Sequence, residues 1–254
     1  MTIDTFKLDG KIAIVTGAAR GLGQGMAAGL AAAGADIVGV DVISPLDETR
    51  ERIEQLGRRF VEARADLSVT SDIEKILSAA TTELGGFDIL VNNAGIIRRH
   101  PAHEFPQADW DAVMNVNLRS LFFLTQAFGK ALIDKGRPGR VINVCSMLSF
   151  SGGILVAPYT ASKSAVAGIT RLLGNEWAPH GINVNGIAPG YMATDNTTPL
   201  RADPDRNREI LSRVPMDRWG TPEDLQGAVV FLASEASAYI TGTIIRVDGG
   251  WLTR

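Results

Sequence analysis

Lys11-Ile-Ala-Ile-Val-Thr-Gly-Ala-Ala-Arg-Gly-Leu-Gly23 is an apolar run that breaks into three glycines and then enters Gln24 to Ala33, an alanine-rich helix former. A run so short and so continuously apolar suits a strand buried on both faces. Strand, glycine turn and helix in succession make a place for a pyrophosphate. The glycines let backbone approach a ligand, and the helix N-terminus offers N–H groups with partial positive charge. The spacing Gly17, Gly21, Gly23 differs from G-x-G-x-x-G, so alone it suits a tight turn as well as a phosphate cradle.

The next strand tips the balance. Ala35-Asp-Ile-Val-Gly-Val40 ends in Asp41, about twenty residues past Gly21, where an acid accepts bonds from an adenosine ribose and repels a 2′-phosphate. That favours NAD over NADP. Arg20, a guanidinium within the glycine turn, argues the other way. The pattern then repeats. Pro45 to Gly57 reads as a charged helix, Arg59 to Ala65 as a strand ending at Asp66-Leu67, and Thr70 to Leu84 as a helix capped by Thr70 or Ser71. Phe87 to Val91 is a further strand, leading into Asn92-Asn-Ala-Gly95. This alternation predicts an α/β fold with a parallel sheet covered on both faces. Ligands of such sheets bind beyond the carboxyl ends of the strands. The glycine turn, Asp41, Asp66, Asn92 to Gly95 and Ser146 all fall there.

In the second half, Val141 to Cys145 reads as a strand closed by Ser146, and Ala161 to Ala178 as a helix. Tyr159 and Lys163 stack one turn apart, as residues i and i+4 do. A free phenol titrates near ~10, and an adjacent cation favours its ionised form. Taken alone, such a pair is ordinary on a helix. Asn117 lies in the long segment Asp109 to Asp134. Ile182 to Ile187 is a strand running into Ala188 to Thr194, and Thr243 to Val247 is the last strand. Between them, Asp195 to Pro215 is polar, Arg-rich and interrupted by Pro199 and Pro204. It reads as a mobile lid with a short helix or as a solvated loop, and structureless loops above ~12 residues are uncommon unless used. Thr221-Pro-Glu-Asp opens a helix, with proline at the first position.

Composition sets the outer bounds. With 254 residues, 45% hydrophobic and 21% charged, the chain can bury a sizeable core. The net charge of −3, from 25 basic and 28 acidic residues, argues against a nucleic-acid partner. Cys145 stands alone in the sequence, so no internal disulfide forms. The N-terminus lacks the apolar core of a secretory signal, and nothing approaches the ~18 apolar residues of a membrane span. A soluble, cytoplasmic protein is expected.

Thr16-Gly-x-x-x-Gly-x-Gly23, Asn92-Asn-Ala-Gly95, Asn117, Ser146, Tyr159-x-x-x-Lys163 and Pro189-Gly190 together resemble the short-chain dehydrogenase/reductase family over essentially the whole chain. The resemblance implies a single Rossmann-like domain over residues 1–254. Its doubly wound, seven-stranded parallel sheet would carry helices on both faces and a substrate lid at about 190–215. It implies a catalytic set of Asn117, Ser146, Tyr159 and Lys163. Tyr159 would exchange a proton with the substrate oxygen, Ser146 would polarise the carbonyl, and Lys163 would lower the Tyr159 pKa and hold the nicotinamide ribose. Asn117 would anchor a water in the relay; read from the residues alone, it is equally an amide that kinks its helix. The implied NAD site comprises Gly17, Arg20, Gly21, Leu22, Gly23, Asp41, Asp66, Leu67, Asn93, Ala94, Gly95, Tyr159, Lys163, Pro189, Gly190, Met192 and Thr194. No metal is implied.

Substrate identity rests on Ile96-Ile-Arg-Arg-His100, at the cleft mouth, where an arginine can grip a carboxylate. Arg98, with Ser146 and Tyr159, is the expected substrate contact. Further strings are similar to a subgroup of sugar-acid dehydrogenases active in uronate breakdown: Gly23-Gln-Gly-Met-Ala27, Ser146-Met-Leu-Ser-Phe150, Leu200-Arg-Ala-Asp203, Arg218-Trp-Gly220 and Asp248-Gly-Gly-Trp251. The likeness implies alcohol–ketone interconversion on a deoxy-keto sugar acid by a homotetramer. Asp195 stands where that subgroup more often carries asparagine. The alternatives are a dehydrogenase for another polyol or ketone, and a non-catalytic NAD-sensing protein, against which stands the presence of both Tyr159 and Lys163.

Overall fold

The computed structural model describes residues 3–42, 45–69 and 71–253. The first half runs β1 (Ile12–Thr16), α1 (Gly21–Ala32), β2 (Asp36–Asp41), α2 (Asp47–Gln55), β3 (Phe60–Arg64), α3 (Asp72–Ala79) and β4 (Ile89–Asn92). The second runs α4 (Gln107–Met114), α5 (Ser120–Ile133), β5 (Gly139–Val144), α6 (Ala157–Trp177) and β6 (Ile182–Pro189), then α7 (Thr198–Ala202), α8 (Pro204–Leu211), α9 (Gln226–Ala233) and β7 (Ile244–Val247). The seven strands form one sheet in the order β3-β2-β1-β4-β5-β6-β7, and every pairing is parallel. Strand order reverses between β1 and β4, which opens a crevice at their carboxyl ends.

Successive strand residues point to opposite faces, and both faces are dry. Ala13, Val15, Ile37 and Ile89 pack with Met26 and Leu30 of α1 and Val229 of α9. Ile12, Ile14, Val38 and Val40 pack on the other side with Ile76 of α3 and Leu124 and Phe128 of α5. That is why the strands read as continuous apolar runs rather than alternating ones. Among the described residues no helix is long and apolar enough to cross a membrane.

Several boundaries differ from the sequence reading. Helix α1 begins at Gly21 rather than Gln24, so Gly21 and Gly23 lie in its first turn. Helix α6 begins at Ala157 rather than Ala161, with Pro158 in the first turn, where a missing N–H leaves no helical bond unmade. Tyr159 is therefore helical. Thr70, one of the two expected caps of α3, lies outside the described residues. Ser71 precedes α3 but makes no side-chain cap; the Asp72 carboxylate instead accepts the Asp66 N–H at 2.9 Å. Asp109 to Asp134 is two helices joined by a π turn, Asn115–Arg119, and that turn carries Asn117. Pro199 and Pro204 open α7 and α8 rather than interrupting a loop. Asp203 caps α8 by accepting the N–H groups of Asp205 and Arg206, both at 3.0 Å.

One buried polar chain ties the centre of the sheet to the helices on it. Asn92 Nδ2, on β4, donates to Thr125 Oγ1 at 2.8 Å and to Asn143 Oδ1 at 2.9 Å. Asn143 Nδ2, on β5, donates to Thr170 Oγ1 of α6 at 2.9 Å. Asn143, Thr125 and Thr170 are fully buried, so a partner lost here is not replaced by water. Replacing Asn143 by alanine should lower unfolding free energy by about 2–3 kcal/mol, the scale of stranded buried donors. It should appear in urea as a lower midpoint at unchanged slope, and an unmoved midpoint would show that the chain carries no weight.

Candidate active site

The carboxyl ends of the strands surround one cleft of about 1360 Å³. Single-ligand pockets run to roughly 1,000 Å³, so this one has room for a dinucleotide and a second molecule. Every residue expected at the cofactor, catalytic or substrate site lines it, except Gly23 and Asn117.

At one end stands the glycine turn. Gly17 (φ +66°) and Gly21 (φ +56°) are left-handed, a region that side chains resist. A Cβ on Gly17 would lie 2.8 Å from the Asn93 amide, and one on Gly23 would lie 2.0 Å from the Gly17 carbonyl. Gly23 thus lets α1 close onto the turn and sits behind the lining. Asn93 locks β4 to this turn: its Nδ2 donates to the carbonyls of Thr16 and Gly17 at 2.9 and 3.2 Å. The Thr16 hydroxyl in turn accepts the N–H groups of Asn93 and Ala94, both at 3.0 Å. Arg20 precedes α1 without a side-chain cap, so its side chain leaves the leading N–H groups to a ligand. Asp41 is held at the tip of β2 by the Ala19 and Val42 N–H groups, at 3.3 and 2.8 Å. Bare glycine backbone, a helix N-terminus and an acid at the next strand tip fit a nicotinamide dinucleotide.

At the other end, β5 delivers Ser146 and α6 delivers Tyr159 and Lys163. The Ser146 hydroxyl accepts the Leu148 N–H at 3.1 Å, and Ser149 bridges the two elements. Ser149 Oγ accepts the Ser146 N–H at 3.2 Å and donates to the Lys163 carbonyl at 2.7 Å. Lys163 is 4% exposed. Its Nζ donates to the Val144 carbonyl at 2.6 Å and lies 5.7 Å from the Tyr159 ring centroid. Burial pulls the Lys163 ammonium down to about 8, against a smaller opposing pull from Cys145.

The phenol behaves differently from the sequence expectation. Burial pushes the Tyr159 pKa up, partly offset by a hydrogen bond from Ser146 and by the charge of Arg99. The Lys163 ammonium, expected to lower it, is turned to the Val144 carbonyl and stands 5.7 Å from the ring centroid. Asn117 is fully buried and stands behind the lining. Its Oδ1 accepts the Ile96 N–H at 2.8 Å, and its Nδ2 donates to the Ile96 carbonyl at 2.9 Å and to Ser162 at 3.4 Å. Ser162 in turn donates to the Tyr159 carbonyl at 2.9 Å.

Arg98 and Arg99 part company. Arg98 turns to Asp109, its Nε 3.4 Å from the carboxylate, and to its own neighbour's carbonyl at 3.1 Å. Arg99 acts on the Tyr159 phenol and reaches the Asn196 carbonyl at 3.5 Å. The sequence reading chose Arg98; both arginines line the cleft, and Arg99 is the one whose charge favours the ionised Tyr159 phenol. The same reading missed Trp251, which joins Met147, Ile210 and Val214 in an apolar cluster under α7 and α8. Tyr191 stands 4.8 Å from Trp251, centroid to centroid, and the Arg213 guanidinium lies 4.1 Å above it. The sequence signals were a tryptophan just beyond the last strand and the likeness of Asp248-Gly-Gly-Trp251 to the sugar-acid subgroup, and neither says where the chain returns.

The family profile described as enoyl-(acyl carrier protein) reductase matches residues 17–252. Over the full length of both chains, this chain is 59% identical to the 2-dehydro-3-deoxy-D-gluconate 5-dehydrogenase of Dickeya dadantii (strain 3937). A solved structure from Agrobacterium tumefaciens, described as a 2-deoxy-D-gluconate 3-dehydrogenase with bound NADP, is 54% identical with a TM-score of 0.91. The match covers 98% of this chain and 99% of that one. A gluconate 5-dehydrogenase from Burkholderia cenocepacia J2315, solved with NADP and tartrate, is 38% identical with a TM-score of 0.93, covering 99% and 98%.

The depressed Lys163 pKa makes a pH prediction. The folded chain sheds this proton near pH 8, while the unfolded chain keeps it to about 10.5. The group's contribution to stability therefore rises as pH climbs through that window. In 13C-lysine NMR of the folded protein, one side chain should titrate near 8 and vanish from the spectrum of Lys163→Met. A full set of lysines titrating together above 10 would refute the buried geometry.

Proposed function

The chain belongs to the short-chain dehydrogenase/reductase family, and we propose that it is an NAD-dependent dehydrogenase interconverting a secondary alcohol and a ketone on a deoxy-keto sugar acid. The convergence of Ser146, Tyr159 and Arg99 at one end of a cleft whose other end is the glycine turn carries the reading. The nicotinamide cofactor, when bound, supplies the hydride acceptor or donor. Gly17, Gly21, Leu22 and the backbone from Asn93 to Gly95 cradle it, with Asp66 and Leu67 at the adenine side. Pro189, Gly190, Met192 and Thr194 line its nicotinamide side.

Tyr159 keeps its proton at neutral pH and gives it to the ketone oxygen, or takes it back from the alcohol in the reverse direction. Ser146 steadies the same oxygen by a hydrogen bond. Lys163 holds the ribose beside the ring. Asn117 is a positioning residue, joining the Ile96 backbone to the first turn of α6 through Ser162. Arg99 takes the substrate carboxylate, for which a planar guanidinium suits better than an ammonium. The relatives' substrates support 2-dehydro-3-deoxy-D-gluconate or 2-deoxy-D-gluconate, and hence a step in uronate breakdown by a cytoplasmic homotetramer. Asp41 supports NAD, although the two neighbouring structures hold NADP.

Two measurements test this. With NADH and a panel of keto-gluconates, Tyr159→Phe should lose roughly 10²–10⁴-fold in kcat, the usual worth of a positioned acid, while cofactor affinity stays within about twofold; equal turnover by the two proteins would discard the mechanism. Arg99→Ala should raise KM about tenfold or more for carboxylate substrates, as loss of a charge-assisted pair does. Arg98→Ala should change it far less, and the reverse order would return the substrate contact to Arg98.

A further inference from the structure

We infer that Asp195 is a positioning residue for Arg20 and, by holding it on the lid, biases the cleft against the 2′-phosphate of NADP; the inference rests on the NAD reading above. Arg20 starts next to Ala19, whose N–H binds the Asp41 carboxylate at 3.3 Å. Its stem therefore begins beside the group that meets the adenosine ribose. Its guanidinium goes elsewhere. Nη1 sits 2.9 Å from Asp195 Oδ2, 175 residues further along, in the turn that opens the lid. The two segments run close here, since a Cβ built on Gly21 would lie 3.6 Å from the Thr194 methyl. The start of the lid thus rests against the glycine turn, and Arg20, Asp41 and Asp195 all line the cleft.

The charges decide what this does. Asp195 holds the Arg20 guanidinium on the lid, while Asp41 stands at the tip of β2. A ribose diol finds its acceptor in Asp41. A 2′-phosphate is repelled, and the cation that could grip it is already engaged. Removing the Asp195 charge frees Arg20 to turn along the cleft. The pair is well exposed, 61% and 74% at the two side chains, so the effect is a few-fold one that salt screens away.

Equilibrium binding of NAD+ and NADP+, followed by calorimetry at low ionic strength, tests this on the full chain. Asp195→Asn should tighten NADP+ roughly three- to fivefold, the range of one exposed charge, with NAD+ changed by less than about twofold. Asp195→Glu should keep the wild-type ratio. The gain should vanish in Arg20→Gln/Asp195→Asn and at about 1 M salt, where the screening length is near 3 Å. An equal shift for both cofactors, no shift for either, or a gain that survives without Arg20 would overturn the inference. Wild-type protein that binds NADP+ more tightly than NAD+ would instead sink the NAD reading. The change in ratio on Asp195→Asn decides the inference in either case.

Discussion

The bond from the Lys163 ammonium to the Val144 carbonyl, 2.6 Å long and shut away from water, fixes where Tyr159 stands relative to Ser146. Val144 ends β5 and Lys163 sits in α6, so this contact sets the rotation of the helix against the strand. Tyr159, one turn earlier on the same face, is carried with it to the serine that follows the strand. The buried cation is uncomfortable, which is why its proton is held only to about pH 8. The same dry surroundings push the neighbouring Cys145 thiol up to about 11. The polar chain from Asn92 through Asn143 to Thr170 locks the same helix to the same strand a little further along.

Close backbone approach is the second constraint. Gly23 meets the Gly17 carbonyl, and Gly190 meets the Asp248 backbone, at distances that no Cβ could occupy. The first approach seats α1 on the turn after β1; the second seats the end of β6 against the segment after β7. Between them lies the cleft. Because all seven strands run parallel, their carboxyl ends come out on one edge. Residues from the loops after successive strands therefore meet without any long loop having to travel.

The lid is better built than a solvated loop. Leu200 and Ile210 give α7 and α8 an apolar underside, Val214 after α8 extends it, and Met147, Tyr191, Trp219 and Trp251 receive it. Trp219 also donates from its indole nitrogen to Asn207 at 2.7 Å, tying α8 to the strand-side wall. Its cleft edge is more loosely held, by Arg20 on Asp195 and Arg99 on the Asn196 carbonyl. A well-packed base and a weakly tethered edge are what the proposed lid would need.

The strands, their parallel order and the face shared by Tyr159 and Lys163 were legible in the chain itself, because each rests on neighbours a few residues apart: apolar runs, glycine turns and i,i+4 spacing. The cofactor edge was legible for the same reason, since every strand of a parallel sheet delivers its following loop to one side. Tertiary structure alone decided the direction of the Tyr159 pKa, the separate partners of Arg98 and Arg99, the partners of Asn117, the return of Trp251 and the pairing of Arg20 with Asp195. Each of these depends on how deeply a group is buried or on which distant residue stands opposite it. Sequence spacing carries no record of either, because burial and long-range distance exist only once the sheet and its helices have packed.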